Sequence, residues 1–227
     1  MPRRRSGPAQ ATLFELDEDL YAQERAAWAQ GVRVAGVDEV GRGPLAGPVV
    51  VAAVILDATA PIEGLRDSKL LTAAQRRRLA REIRVRAVAW SVARAGPQRI
   101  DAVNILQATW HAMRHALRRL RVAPGLVLVD GHLRIPGLGC PQRAIVDGDR
   151  RSASVAAASI LAKVVRDAFM ARADRRFPGY EFRRHKGYAT AEHLAALARL
   201  GPCPLHRRSF RGVGGGEAAP GPTERLL

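Results

Sequence analysis

The sequence predicts an α/β protein built on a mixed β-sheet. Two runs, at residues 32–38 and 49–56, are almost wholly apolar and largely β-branched, the pattern of strands buried on both faces. A third run, 126–129, consists only of Leu and Val and stops on Asp130. Strand patterns dominate the first part of the chain and helical patterns the last. With 227 residues the chain can bury a real core in one large domain.

Residues 1–10 are basic and rich in Pro, Gly and Ser, and read as a disordered tail. Leu13, Leu16, Leu20, Ala27 and Trp28 recur at helical spacing and predict a helix over 13–30, closed at Gly31. The two apolar strands follow. LRDSKLL at 65–71 is a polar connection, and Thr72 is placed to cap a basic helix running to Val85. Alternation over 87–94 predicts a third strand, and Pro97 opens a helix drawn through to Arg121. The run 126–129 is the fourth strand and 143–146 the fifth. A long Ala-rich helix is expected over 152–175, and Thr190 caps another that runs to Leu200. The organisation expected is an N-terminal tail and helix (1–30), one domain with a helical C-terminal part (31–211), and a loose tail (212–227).

Lys and Arg number 37 against 21 Asp and Glu, for a net charge of +16 and a pI near 11.4. A chain this basic is suited to a polyanion, above all nucleic acid. Cys140 and Cys203 fit neither a metal spacing nor a disulfide scaffold, which points to a reducing, cytoplasmic setting. The apolar runs are too short to span a bilayer, and Arg3, Arg4 and Arg5 are not followed by the apolar stretch of a secretory signal. No membrane association is expected.

The chemistry concentrates around residues 34–51, VAGVDEVGRGPLAGPVVV. A buried strand delivers Asp38 and Glu39, and Gly41, Gly43 and Gly47 come directly after. Charge at the end of a buried strand is costly unless a cation or partner compensates it. Asp38 and Asp130 both end apolar strands, where open α/β sheets place their sites. Asp149 precedes the long helix, whose dipole favours an anion. Each acid also has a purely structural reading, as a helix cap for Asp149 or a turn for Asp130-Gly131. Four carboxylates brought together would repel one another, and hard divalent ions with oxygen ligands, Mg²⁺ or Mn²⁺, relieve that repulsion. A pair of such ions can activate water and stabilise a leaving oxygen in phosphodiester hydrolysis. Because side chains alternate along a strand, Asp38 and Glu39 share one site only if the strand ends or bulges there, or if Glu39 reaches round. The glycine loop does not match a dinucleotide fingerprint, since its spacing differs and Pro44 and a β-branched run replace the required helix. No Walker sequence is present.

The segments GVDEVGRGPLAGPVV (36–50), DSK (67–69), LVDG (128–131), GD (148–149), AAASILAKVVRD (156–167), HKGY (185–188) and HRRSF (206–210) resemble the ribonuclease HII family, in the family's order. The resemblance covers residues 32–211 and implies a ribonuclease H-like fold, with a mixed five-stranded sheet flanked by helices. It implies metal-dependent cleavage of RNA in RNA–DNA hybrids and nicking 5′ of ribonucleotides embedded in duplex DNA. The products would carry 3′-hydroxyl and 5′-phosphate ends. Asp38, Glu39, Asp130 and Asp149 fall on the family's four acidic positions. Gly41, Arg42 and Gly43 fall on the loop that senses the 2′-hydroxyl. Tyr188 falls on the tyrosine that stacks on the following deoxyribose. Ser68, Lys69 and Lys186 suit phosphate contacts, as do Arg207 and Arg208 unless these two belong to a solvated basic tail. Lys163 either reaches substrate or lays its stem along the helix, and His185 and His206 read as structural.

Two departures stand out. Asp147 replaces the family's usual lysine two residues before the fourth acid, and Leu70 replaces a second lysine after DSK. The competing readings are a hybrid-binding module without chemistry and the sister family, ribonuclease HIII. The full acid set argues against the first. The 30 or so residues before Val32, too few for the sister family's extra N-terminal domain, argue against the second. A monomer is expected.

Overall fold

The computed structural model describes residues 19–213. The expected N-terminal tail, the start of the helix expected over 13–30 and residues 214–227 of the expected C-terminal tail lie outside the described residues. Five strands form one sheet: β1 (Val34–Val40), β2 (Val49–Ile55), β3 (Ala89–Ala95), β4 (Leu126–Asp130) and β5 (Gln142–Ile145), in the order β3-β2-β1-β4-β5. β1, β2 and β3 run antiparallel to one another in turn, whereas β4 and β5 join in parallel register. The mixed sheet is thus as the apolar runs predict.

Eight helices surround it among the described residues: α1 (Ala22–Trp28), α2 (Ala73–Arg86), α3 (Pro97–Val103), α4 (Ile105–Arg118), α5 (Gly148–Arg151), α6 (Ala153–Arg176), α7 (Phe182–His185) and α8 (Ala191–Leu200). One face of the sheet packs against α2 and α6, through Leu79, Ile83, Ile160 and Leu161. The other packs against α4, through Ala112, Met113 and Ala116. Thr72 and Gln75 form a reciprocal capping box for α2, and Ser152 and Thr190 cap α6 and α8.

Two expectations about helices need correction. The helix drawn from Pro97 to Arg121 is broken at Asn104, which takes φ +65° and caps α4 by accepting from the Gln107 N–H at 3.0 Å. An Asn with a polar partner three residues on is a capping signal inside an otherwise continuous apolar period. Of the helix expected over 13–30, the described part is helical only over Ala22–Trp28. It docks on the body, where the buried Glu24 carboxylate accepts from the Ser152 hydroxyl (2.5 Å) and the Ser154 N–H (2.9 Å).

The contact that positions the site is α6 against β1. A Cβ at Gly36 would lie 2.1–2.3 Å from the backbone of Ser154 and Val155, so only glycine lets strand and helix touch main chain to main chain. Ala153, Ala156, Ala157 and Ala158, all fully buried, keep this part of α6 slim where it packs into the core. Gly36→Ala should therefore cost about 3 kcal/mol or prevent folding altogether, measured as the urea midpoint against wild type.

Candidate active site

β1 does not end or bulge at the acids. Its register with β2 continues regularly through Asp38 opposite Ala52 and Glu39 opposite Val51, to Val40. Asp38 thus faces α6 and Glu39 the α4 side, as regular alternation requires. What joins them is the edge beside them. Parallel pairing with β4 stops at Val37 opposite Val129, and β4 ends one residue later at Asp130. Asp38, Glu39 and Asp130 gather at this corner, and the charge of Asp130 acts on both of the others. Asp149, in α5, completes the group and also acts within range of Asp130.

Burial raises all four carboxyls above their ordinary range. Asp38 is held well above it by burial, then by the charges of Glu39 and Asp130, although the Ser159 hydroxyl and Glu39 N–H (2.6 Å) support its ionised form. Burial raises Glu39 against the opposing pull of Arg42, 3.3 Å away. Burial also raises Asp130, whose Oδ1 accepts from the Gly148 N–H at 2.7 Å. Asp149 is pushed up to about 6 by burial, against the pull of Lys69. An oxygen-only set whose carboxyls resist ionisation together is the donor chemistry of a hard divalent cation. Among the described residues no three acidic, histidine or cysteine side chains stand close enough to share one ion as placed.

Lys69 lies 3.5 Å from Asp149 and 3.7 Å from Asp67, with its ammonium largely exposed. Burial lowers its affinity for a proton, but these two carboxylates raise it more. Ser68 is different from the expectation. It is buried and its hydroxyl lies 2.9 Å from that of Ser159, so it buttresses the serine that supports Asp38.

The glycine loop between β1 and β2 is held from below by two arginines, each 0% exposed. Arg207 donates to the carbonyls of Gly41, Arg42 and Gly47, and lies against the Phe210 ring. Arg166 donates to the carbonyls of Ala46, Pro48 and Lys186. Burial lowers both guanidiniums, Arg207 to about 9. Arg207 is therefore neither a phosphate contact nor part of a solvated tail. A basic pair near a chain end looks exposed until its carbonyl partners, some 160 residues away, are in place. Arg208, beside it, is exposed, and its N–H donates to Asp101. Arg166 gives no signal in the sequence beyond being one basic residue of a long helix. With their carbonyls turned inward, Arg42 and Gly43 stand exposed at the loop's tip.

Tyr188 is 45% exposed, and its ring stands over the Arg166 guanidinium at 5.9 Å. Lys186 precedes it in a left-handed conformation (φ +55°), and the Gly187 carbonyl accepts from the Leu45 N–H at 2.8 Å. The glycine loop and the tyrosine are thereby locked side by side. Lys163 pairs with Asp167 at 2.8 Å on its own helix.

A profile of the family described as Ribonuclease HII matches residues 35–213. The chain belongs to the ribonuclease HII family. It is 56% identical over 197 residues to the ribonuclease HII of Maricaulis maris, covering 86% of this chain and 89% of that one. To the ribonuclease HII of Nitrosococcus oceani it is 58% identical over 183 residues, covering 81% and 90%. Its fold is similar to the crystal structure of ribonuclease H2 from Pyrococcus horikoshii OT3, with a TM-score of 0.67 and 27% identity, over 80% of this chain and 95% of that one. As a ribonuclease HII the chain is a metal-dependent endoribonuclease acting on RNA–DNA hybrids and on ribonucleotides within DNA.

The loop geometry carries a direct test. Arg207→Ala leaves two buried carbonyls and one part-buried carbonyl without their donor and should cost about 3 kcal/mol in urea unfolding. Arg207→Lys should recover less than half of that, because one ammonium cannot replace a planar fork spanning three oxygens.

Proposed function

We propose that Asp38, Glu39, Asp130 and Asp149 hold the divalent metal of this enzyme, Mg²⁺ or Mn²⁺, with two ions engaged during cleavage. The observation that carries the proposal is the gathering of four carboxyls, Asp38 and Asp149 buried and Glu39 and Asp130 half-buried, all raised above their usual range, at the end of the parallel strand pair. The metal would supply a water nucleophile at neutral pH and charge stabilisation for the leaving 3′-oxygen. The side chains do the rest. Ser159 orients Asp38, the Gly148 N–H orients Asp130, and Lys69 balances Asp149 until substrate phosphate arrives. No helix among the described residues is long and apolar enough to cross a membrane, and Cys140 and Cys203 are both free thiols. We place the enzyme in the cytoplasm, acting as a monomer.

Substrate reading falls to the exposed rim of the site. Arg42 and Gly43, exposed at the tip, and Gly41 beneath them form the loop whose backbone meets the 2′-hydroxyl, the group that distinguishes RNA from DNA. Tyr188 offers a flat face to the next sugar, where an added 2′-hydroxyl would clash, so continued RNA is disfavoured on that side. Lys69 and Lys186 contact phosphates, and the net charge of +16 draws the duplex in. A hybrid-binding module without chemistry is the alternative, and it leaves the buried acids with no role to offset their cost.

A DNA duplex carrying one ribonucleotide, incubated with Mg²⁺, with Mn²⁺ and with EDTA, decides between them. Nicking 5′ of the ribonucleotide is expected in at least one metal and none in EDTA, with Asp38→Asn reducing the rate at least about 100-fold. Binding without nicking in either metal would remove the catalytic reading. Tyr188→Ala should reduce junction incision more than duplex binding, and equal losses in both would remove its sensor role.

A further inference from the structure

Three buried histidines lie behind Tyr188, and their hydrogen bonds determine where each proton sits. His206 Nδ1 accepts from the Cys203 N–H at 3.0 Å, so the ring's one proton is on Nε2. That proton faces His193 Nε2 at 3.1 Å, which must accept it. The proton of His193 is then on Nδ1 and is donated to the Tyr188 carbonyl at 2.8 Å. His185 Nδ1 accepts from the Gly187 N–H at 3.1 Å, leaving Nε2–H to donate to the Tyr180 carbonyl at 2.7 Å. A single proton on each ring satisfies all of these hydrogen bonds, in one defined tautomer.

We propose that His193 and His206 are positioning residues for Tyr188, forming with His185 a relay of neutral imidazoles that fixes the 185–188 loop only while all three rings stay uncharged. The inference rests on the reading of Tyr188 as a substrate contact.

A second proton has no acceptor at any of the three rings. On His206 it would face the Cys203 N–H, on His193 the His206 N–H, and on His185 the Gly187 N–H. The rings are 0–8% exposed, so water cannot take the extra donor. His185 and His193 stack at 4.3 Å and His193 and His206 lie 5.3 Å apart, so a charge on one opposes a charge on the next. Phe182 packs against all three, and Tyr180 against His206. The other titratable groups nearby are the buried Cys203 thiol, the exposed Arg184 and Glu192, and Arg207, which points into the glycine loop. Among the described residues, no hydrogen bond from these rings goes to a carboxylate. Burial lowers His193, and burial together with His193 lowers His206 to about 4.

The consequence reaches the substrate-reading loops through the backbone. The Tyr188 carbonyl bonded to His193 belongs to the turn whose Gly187 carbonyl holds Leu45 and whose Lys186 carbonyl holds Arg166. The sign of the pH effect comes from the lowered rings. Between about 6.5 and 4 the unfolded imidazole of His206 binds a proton that the folded one refuses, so stability is full above 6.5 and falls as the pH drops through that window.

The test joins a spectrum to kinetics. In the full chain labelled with ¹⁵N-histidine, two-bond ¹H–¹⁵N spectra near pH 7.5 should show His185 and His206 as Nε2–H and His193 as Nδ1–H. Any other tautomer, or a doubly protonated ring at that pH, overturns the relay. His193→Phe keeps the ring volume but loses both hydrogen bonds. It should raise KM for the single-ribonucleotide duplex about tenfold with little change in kcat. His193→Asn, whose amide can stand where Nδ1–H stood, should restore most of the lost affinity. Unchanged KM in His193→Phe, or an Asn variant no better than Phe, overturns the positioning role. If His193→Phe does not fold, the Asn variant and the tautomer spectrum still decide. If the wild type fails to nick at the ribonucleotide, the functional reading fails, whereas the spectra continue to report on the relay by themselves.

Discussion

The close packing of α6 on β1 is the constraint on which the rest of this structure depends. Gly36 removes the side chain that would separate the two backbones, and the alanines of α6 complete the seam. Once the start of α6 is fixed there, its helical repeat sets the positions of the residues further along it. Ser159 reaches Asp38, and two turns further on Arg166 reaches the glycine loop, with Met170 one turn beyond it against Gly47. One helix thus positions the acid corner and the glycine loop on a single rigid element.

Charge is arranged in two opposite ways within about two turns of that helix. At the strand ends, carboxylates are buried next to one another and call for a cation. Under the glycine loop, two guanidiniums are buried with no carboxylate among the described residues hydrogen-bonded to either, and backbone carbonyls satisfy most of their donors. Drawing carbonyls inward leaves the loop's tip exposed for contact from outside. It also explains why Gly41, at φ +96° and with the Arg166 side chain where a Cβ would be, cannot be another residue.

The acids and the glycines stand out in the sequence because each interrupts a pattern, a charge ending an apolar strand or glycines where a strand should turn, whereas Tyr188 stands out only through the HKGY segment of the family resemblance. Ser159, Arg166, Arg207 and the histidine relay were not. Ser159 looks like any small residue of an Ala-rich helix, and Arg207 like half of a basic pair. Their roles come from partners up to 166 positions away, which local periodicity does not encode. The break at Asn104 was a local signal overridden by a continuous apolar period.

The sequence by itself determined the α/β class, the five strands, the caps of two helices and membership of the ribonuclease HII family, because hydrophobic period and ordered motifs are properties of the chain. Only the tertiary structure decided how adjacent acids on a regular strand come to share one corner. The physical reason is that β4 stops one residue past Val129, opening the edge of β1 beside Asp38 and Glu39. Where one strand ends relative to its neighbour is a fact of pairing, and no single segment carries it.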